Sequence, residues 1–225
     1  MSDLDPSLTP HPEHPALLRR MRRLVEDDAA AAWSGVLFRA AEPKYAAQED
    51  RLDGVGARMF GGRWNPAGVA CVYGATTPET AMAEALATSR HYGLPAESAM
   101  PRTFFAFEAT LGVTLDLTDG LVRRRLLVSL HDLLDCDWRA DVDAGRESLT
   151  QAVGRAAAGA GVAGLVLPSA AEPGGVNLAI FPPAFRPGDR LYALAVDHLR
   201  TGTTKQPAIL QADLLDESRL VADDV

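Results

Sequence analysis

The chain has 225 residues, 47% of them hydrophobic, and a formal net charge of −8 at pH 7. That length supports one globular core without covalent staples, and the negative balance argues against a nucleic-acid-binding face, which needs concentrated positive charge. The two cysteines, Cys71 and Cys136, belong to no CxxC pair, so zinc is not indicated and a reducing compartment is the simple reading.

Residues 1–15, "MSDLDPSLTPHPEHP", are rich in proline and polar residues and are expected to be disordered. They carry no basic-then-apolar leader pattern. No downstream stretch reaches 18 apolar residues, so a soluble, cytoplasmic protein with no membrane contact is expected. Residues 16–33 read as a helix whose basic-then-acidic order opposes the helix dipole, so packing must support it. "GVLFRAA" follows as a short strand, and Glu42 to Met59 as a loop. The turn "GGRWNPAG" leads into a β-branched strand, "VACVYGA".

Thr77 to His91 is a helix with clear punctuation. Thr77 caps it, Pro78 takes the first helical position, Glu79 sits in the first turn, and Gly93 lies just past the end. Two strands are expected next, "RTFFAFEATL" and "VTLDLTDG". Residues 121–158 read as mainly helical, joined by "DWRADVDAG". "AGLVLPSA", "GGVNLAIFP" and "RLYALAVDHL" read as strands, and residues 203–225 as a polar, then acidic, tail. Strand and helix alternate only in part. The expected class is therefore α+β, a mixed sheet with flanking helices, rather than a doubly wound fold.

Two motifs invite misreading. Gly159 to Gly164 spells G-x-G-x-x-G, but a helix precedes it and a strand follows, the reverse of a dinucleotide fingerprint. It reads as a helix stop and a turn. "GRESLT" places Arg146, Glu147 and Ser148 side by side at a helix start. Ser148 is a candidate cap, and the rest reads as a solvated face.

Other positions point to a site. Gly61 and Gly62 allow close approach of a ligand, and Pro66 stiffens the turn that carries Arg63. An arginine held there offers a planar fork to phosphate or carboxylate. The bland alternative is a surface arginine capping carbonyls. Tyr73 follows on the next strand. Glu84 sits on an alanine-rich helix face where its neighbour Thr88 offers no cation. Arg39 interrupts an apolar strand and needs a partner or an anion. Ser169 stands where a buried strand exits, and Asn177 opens the next strand. Their bland readings are turn residues that bond the backbone.

Together "LFRA", "GGRWNPAG", "CVYGATTPETAMAE", "LVLPSA" and "GGVNLAIFP" resemble the RES domain family, in this order and from Leu37 to about Phe181. The resemblance implies a fold like that of ADP-ribosyltransferases. It implies a toxin of a toxin–antitoxin pair that breaks down NAD+ by hydrolysis or phosphorolysis, with inorganic phosphate as the second substrate in the latter case and no metal. On this reading residues 35–200 form the catalytic domain, after a leading segment (1–34) and before the tail (201–225). Glu84, Arg63 and Tyr73 are the expected catalytic residues. Arg39, Ser169 and Asn177 join Arg63 and Tyr73 in binding substrate. A neutralising antitoxin or immunity protein is the expected partner, and self-association stays open. The alternatives are an ADP-ribosyltransferase acting on a macromolecule and a non-catalytic nucleotide-binding module. The long segment from about Gly120 to Ala160 departs from a compact family member.

Nicotinamide leaves its ribose as a neutral molecule, so the chemistry needs no acid for the leaving group. It needs a negative charge beside the developing sugar cation and a fixed substrate conformation. Glu84 suits the first task and the arginines the second. Tyr73 is expected to stack on the nicotinamide ring.

Overall fold

The computed structural model describes residues 5–41, 52–100, 102–194 and 209–211. Part of the loop expected over 42–59, the far half of the last strand (195–199), and most of the tail lie outside the described residues.

Seven α-helices and seven strands are described, with two short 3-10 turns at Ala96–Ala99 and Pro182–Ala184. In chain order they are α1 (His14–Glu26), β1 (Ala31–Ala41), α2 (Val55–Phe60), β2 (Val72–Ala75) and α3 (Pro78–His91), then β3 (Thr103–Asp116), α4 (Gly120–Leu126), α5 (Leu130–Leu134), α6 (Trp138–Asp143) and α7 (Leu149–Gly159), and finally β4 (Gly164–Pro168), β5 (Val176–Ile180), β6 (Arg190–Leu194) and β7 (Ile209–Gln211). This is the α+β class with a mixed sheet: β3 and β4 run parallel and every other pairing is antiparallel.

The strand order is β1-β2-β5-β4-β3-β6-β7, and β1 also pairs with β3, so five strands close into a circuit. Period-two alternation then sorts their side chains into two cores. Leu37, Val72, Phe107, Val166, Leu178 and Ile180 face the inside of the circuit. Cys71, Tyr73, Leu165, Leu167, Ala179 and Phe181 face the helices, where Leu17, Met21 and Leu24 of α1 meet Ala152, Val153, Ala156 and Ala157 of α7. The spacing Leu17, Met21, Leu24 is one helical stripe, which explains why α1 folds despite its unfavourable charge order.

Several expectations need correction. Residues 5–13 are pinned to the domain: the Asp5 N–H donates to Ala67 O, and Thr9 pairs with Arg146. The first helix stops at Glu26, because residues 31–33 start β1 and pair with β3. "RTFFAFEATL" and "VTLDLTDG" form one strand, β3. Gly112 does not break it, because its N–H donates to Asp189 Oδ1 at 2.6 Å. The loop before the "GGRWNPAG" turn contains α2, and the expected connector "DWRADVDAG" contains α6. Part of the tail, β7, pairs with β6.

Other readings hold. Thr77 Oγ1 accepts the Thr80 N–H at 3.1 Å, and Gly93, past the end of α3, has φ 65°. The G-x-G-x-x-G stretch spans the end of α7, a turn with Gly161 at φ 75°, and the start of β4. Ser148 caps α7 in a reciprocal capping box with Gln151. Glu147, expected on a solvated face, is instead buried: its carboxylate accepts Arg155 Nε and Nη2, each at 2.6 Å, and the His11 N–H. A buried carboxylate persists there because the Arg155 guanidinium pairs with its charge through two bonds and the His11 N–H supplies a third.

Candidate active site

The β1–β2 ladder is short, with its register set at Phe38↔Ala75. A cleft of about 550 Å³ opens beside it, lined by Arg39 of β1, Tyr73 of β2, Glu84 of α3, Arg63 of the glycine turn and Asn177 of β5. Its size is in the range of small-molecule sites. Five of the six residues singled out in the sequence thus share one cavity. The sixth, Ser169, is buried behind the wall and reaches the site through Glu84.

Glu84 is held on one side only. Its Oε1 accepts Ser169 Oγ–H at 2.6 Å and Asn177 Nδ2–H at 2.6 Å. Its Oε2 takes no hydrogen bond from the described residues. Ser169 Oγ in turn accepts the N–H groups of Ala171 and Glu172, each at 3.1 Å. The serine hydroxyl is therefore saturated by the protein. Asn177 sits in the middle of the sheet, facing Ala75 of β2 and Leu167 of β4. Its backbone register carries its amide to α3.

Arg63 combines both readings offered by the sequence. Its Nη2 donates to Leu133 O and Leu134 O, at 2.6 and 2.7 Å, at the end of α5. It does cap carbonyls, and it also lines the cleft. Burial lowers its pKa, while Cys136 and Glu84 act against that shift. Arg39 has no anionic partner among the described residues. Burial lowers its pKa too, opposed by Cys71 and Tyr73. A half-buried, partly desolvated guanidinium with no carboxylate paired to it among the described residues favours an incoming anion.

The Tyr73 hydroxyl organises the turn. It accepts the Trp64 N–H at 2.9 Å and donates to Asn65 Oδ1 at 2.7 Å. Burial holds its pKa well above the usual phenol value, so the ring stays neutral. A Cβ on Gly62 would come within 2.7 Å of this oxygen, which is why the turn needs glycine there.

Sequence reasoning passed over Asn65, which is fully buried and donates through Nδ2 to Ala57 O and Val69 O. It also passed over Trp138 and Arg139, which line the cleft with the Arg139 guanidinium 4.5 Å from the Trp138 ring centroid. Asn65 had a faint signal in the Asn-Pro step. Trp138 had none, since its segment read as a connector. Among the described residues no group of three or more His, Cys, Asp or Glu side chains could hold a metal, and no helix is long and apolar enough to cross a membrane.

Comparison with known proteins bears on this geometry. A family profile described as RES domain matches residues 36–200. The NAD(+) phosphorylase MbcT of Mycobacterium bovis (strain ATCC BAA-935 / AF2122/97) is 30% identical over 170 residues, which is 73% of this chain and 83% of that protein. The NAD(+) phosphorylase MbcT of Mycobacterium tuberculosis (strain ATCC 25618 / H37Rv) matches with the same figures. The crystal structure of the M. tuberculosis MbcT–MbcA toxin–antitoxin complex superposes with a TM-score of 0.58 at 25% identity, covering 97% of this chain and 100% of that chain. The profile spans most of the sequence and all the residues that line the cleft, and on that ground the chain belongs to the RES domain family.

Proposed function

We propose that this protein is an NAD+-degrading toxin that breaks the nicotinamide–ribose bond, with inorganic phosphate or water as the acceptor. The observation that carries this reading is one oriented carboxylate, Glu84, in a cleft that also holds two half-buried arginines, Arg39 and Arg63. The name of the MbcT relatives supports phosphate as the acceptor. The toxin–antitoxin complex of the structural neighbour supports a protein antitoxin as partner. The mixed sheet and the dinucleotide-sized cleft support an ADP-ribosyltransferase-like arrangement within residues 35–200.

The residues divide the work as follows. Arg39 and Arg63 bind the pyrophosphate of NAD+ or the incoming phosphate. Glu84 Oε2 faces the ribose carbon from which nicotinamide departs. As that bond breaks, its electron pair leaves with the pyridine nitrogen and the sugar becomes cationic. A phosphate oxygen then bonds to the same carbon, or a water oxygen does so and releases one proton to solvent. A unit charge pair about 4 Å apart is worth of order 4 kcal/mol at an effective dielectric near 20, or about a thousandfold in rate. Tyr73 holds the turn and presents its ring to nicotinamide. Asn177 and Ser169 fix the angle of Glu84, a positioning role that replaces the substrate contact expected for Ser169.

The test is release of free nicotinamide from NAD+ alone, with and without phosphate, together with identification of the sugar product. Glu84→Gln keeps the shape of the side chain and removes its charge. It is expected to lower the rate about a thousandfold with an unchanged melting temperature. A folded E84Q protein that turns over at the parent rate would remove Glu84 from the chemistry.

A further inference from the structure

The turn that carries Arg63 rests on α7, a helix with no side chain assigned to the reaction. Gln151 Nε2 donates to Gly62 O at 3.0 Å and, more weakly, to Asn65 O at 3.5 Å. These two carbonyls flank Arg63 and Trp64, and the Gly62 N–H closes the same turn on Asn65 O at 2.8 Å. One turn further along α7, Gly154 faces Trp64. A Cβ at Gly154 would lie 1.6 Å from Trp64 O. So α7 offers a polar tether and, beside it, a bare patch of backbone against which the turn lies flat.

The platform is itself buried and hydrogen-bonded. Gln151 is nearly fully buried, and its Oε1 accepts the Ser148 N–H at 3.2 Å in the capping box. Glu147, one residue before the cap, is locked to Arg155 and to the His11 N–H. Each end of the Gln151 amide therefore has a separate task. The oxygen caps α7, and the nitrogen holds the Arg63 turn.

We infer that Gln151, with Gly154, is a positioning residue that aims Arg63 into the cleft by fixing the 62–65 turn to α7. This rests on the NAD+-cleaving reading for Arg63. Arg63 has a second anchor at α5. Loss of the tether therefore lets the arginine follow α5 rather than the substrate.

Gln151→Glu separates the two tasks. A carboxylate still accepts the Ser148 N–H, which is the preferred capping-box partner, but it has no N–H to give to Gly62 O. In the full chain, the KM for NAD+ is expected to rise at least about tenfold with a smaller change in kcat, since one hydrogen bond is lost and a carboxylate oxygen now repels the Gly62 and Asn65 carbonyls. Amide exchange in a peptide spanning 59–68 is expected to speed up while α7 stays protected. In an Arg63→Ala background, Q151E is expected to add no further loss. Parent KM together with parent exchange would overturn the assignment, and so would a full additive loss beside R63A. If Q151E does not fold, Gly154→Ala takes its place, since it moves the turn and leaves the cap intact. If the parent protein releases no nicotinamide, the catalytic reading fails. The exchange comparison then still decides whether Gln151 holds the turn.

Discussion

Glu84 receives Ser169 and Asn177 on the same oxygen, each at 2.6 Å. Ser169 Oγ is saturated by Glu84 and two backbone N–H groups. Ser169→Ala is therefore expected to act through the carboxylate. It should lower kcat between about tenfold and a hundredfold, the worth of a hydrogen bond to a charged group, and leave the KM for NAD+ near the parent value. A raised KM at parent kcat would make the hydroxyl a substrate ligand after all. At this scale the sequence was informative wherever a polar residue broke an apolar pattern, as Arg39 does in "LFRA" and Glu84 among alanines. It was faint on Asn65 and silent on Gln151, whose importance lies in which carbonyls they reach.

Among the elements, α3 was the most legible, because its cap, first-turn proline and terminal glycine are local chemistry. The segment from Gly120 to Gly159 was the least. It folds as four short helices, and α5 supplies the carbonyls that anchor Arg63. Between α4 and α5, Leu127 adopts φ 58° and ψ 42° and is 71% exposed. A leucine gains little burial there and carries the strain of a left-handed backbone. Leu127→Gly is expected to stabilise the protein by about 1 kcal/mol, read as a rise of about 2–4 °C in the thermal midpoint. A lower midpoint would mean that the leucine side chain stabilises the fold by more than its backbone strain costs.

Across the whole molecule, the chain ahead of the family-matching region is part of the fold. The segment 5–13 reaches Ala67 beside the glycine turn and Glu147 at the start of α7, and α1 covers α7. His14, the first residue of α1, lies near Arg155, Glu147 and His11. Burial lowers its pKa below 6.5, Arg155 and His11 push the same way, and Glu147 opposes them. The folded protein then takes up this proton less readily than the unfolded chain. Above pH 6.5 both forms are neutral. As the pH falls through 6.5 the unfolded chain binds the proton first, and stability declines. Denaturant midpoints measured from pH 7.5 to 5.5 are expected to fall, and His14→Gln is expected to flatten part of that slope. An identical slope in H14Q would place the proton elsewhere.

The sequence by itself determined the fold class, most of the elements, and five of the polar or charged residues that line the cleft. Periodicity, capping and misplaced charge are local properties, and five motifs in fixed order carried the family resemblance. Burial was decided only by the tertiary structure. Glu147 read as solvated and is a buried ion pair, the Ser169 hydroxyl turned to Glu84, and the Gln151 amide reached the Gly62 carbonyl of the Arg63 turn. The reason is physical: what a side chain does depends on the partners that other segments bring to it, and those segments lie up to 136 residues away along the chain.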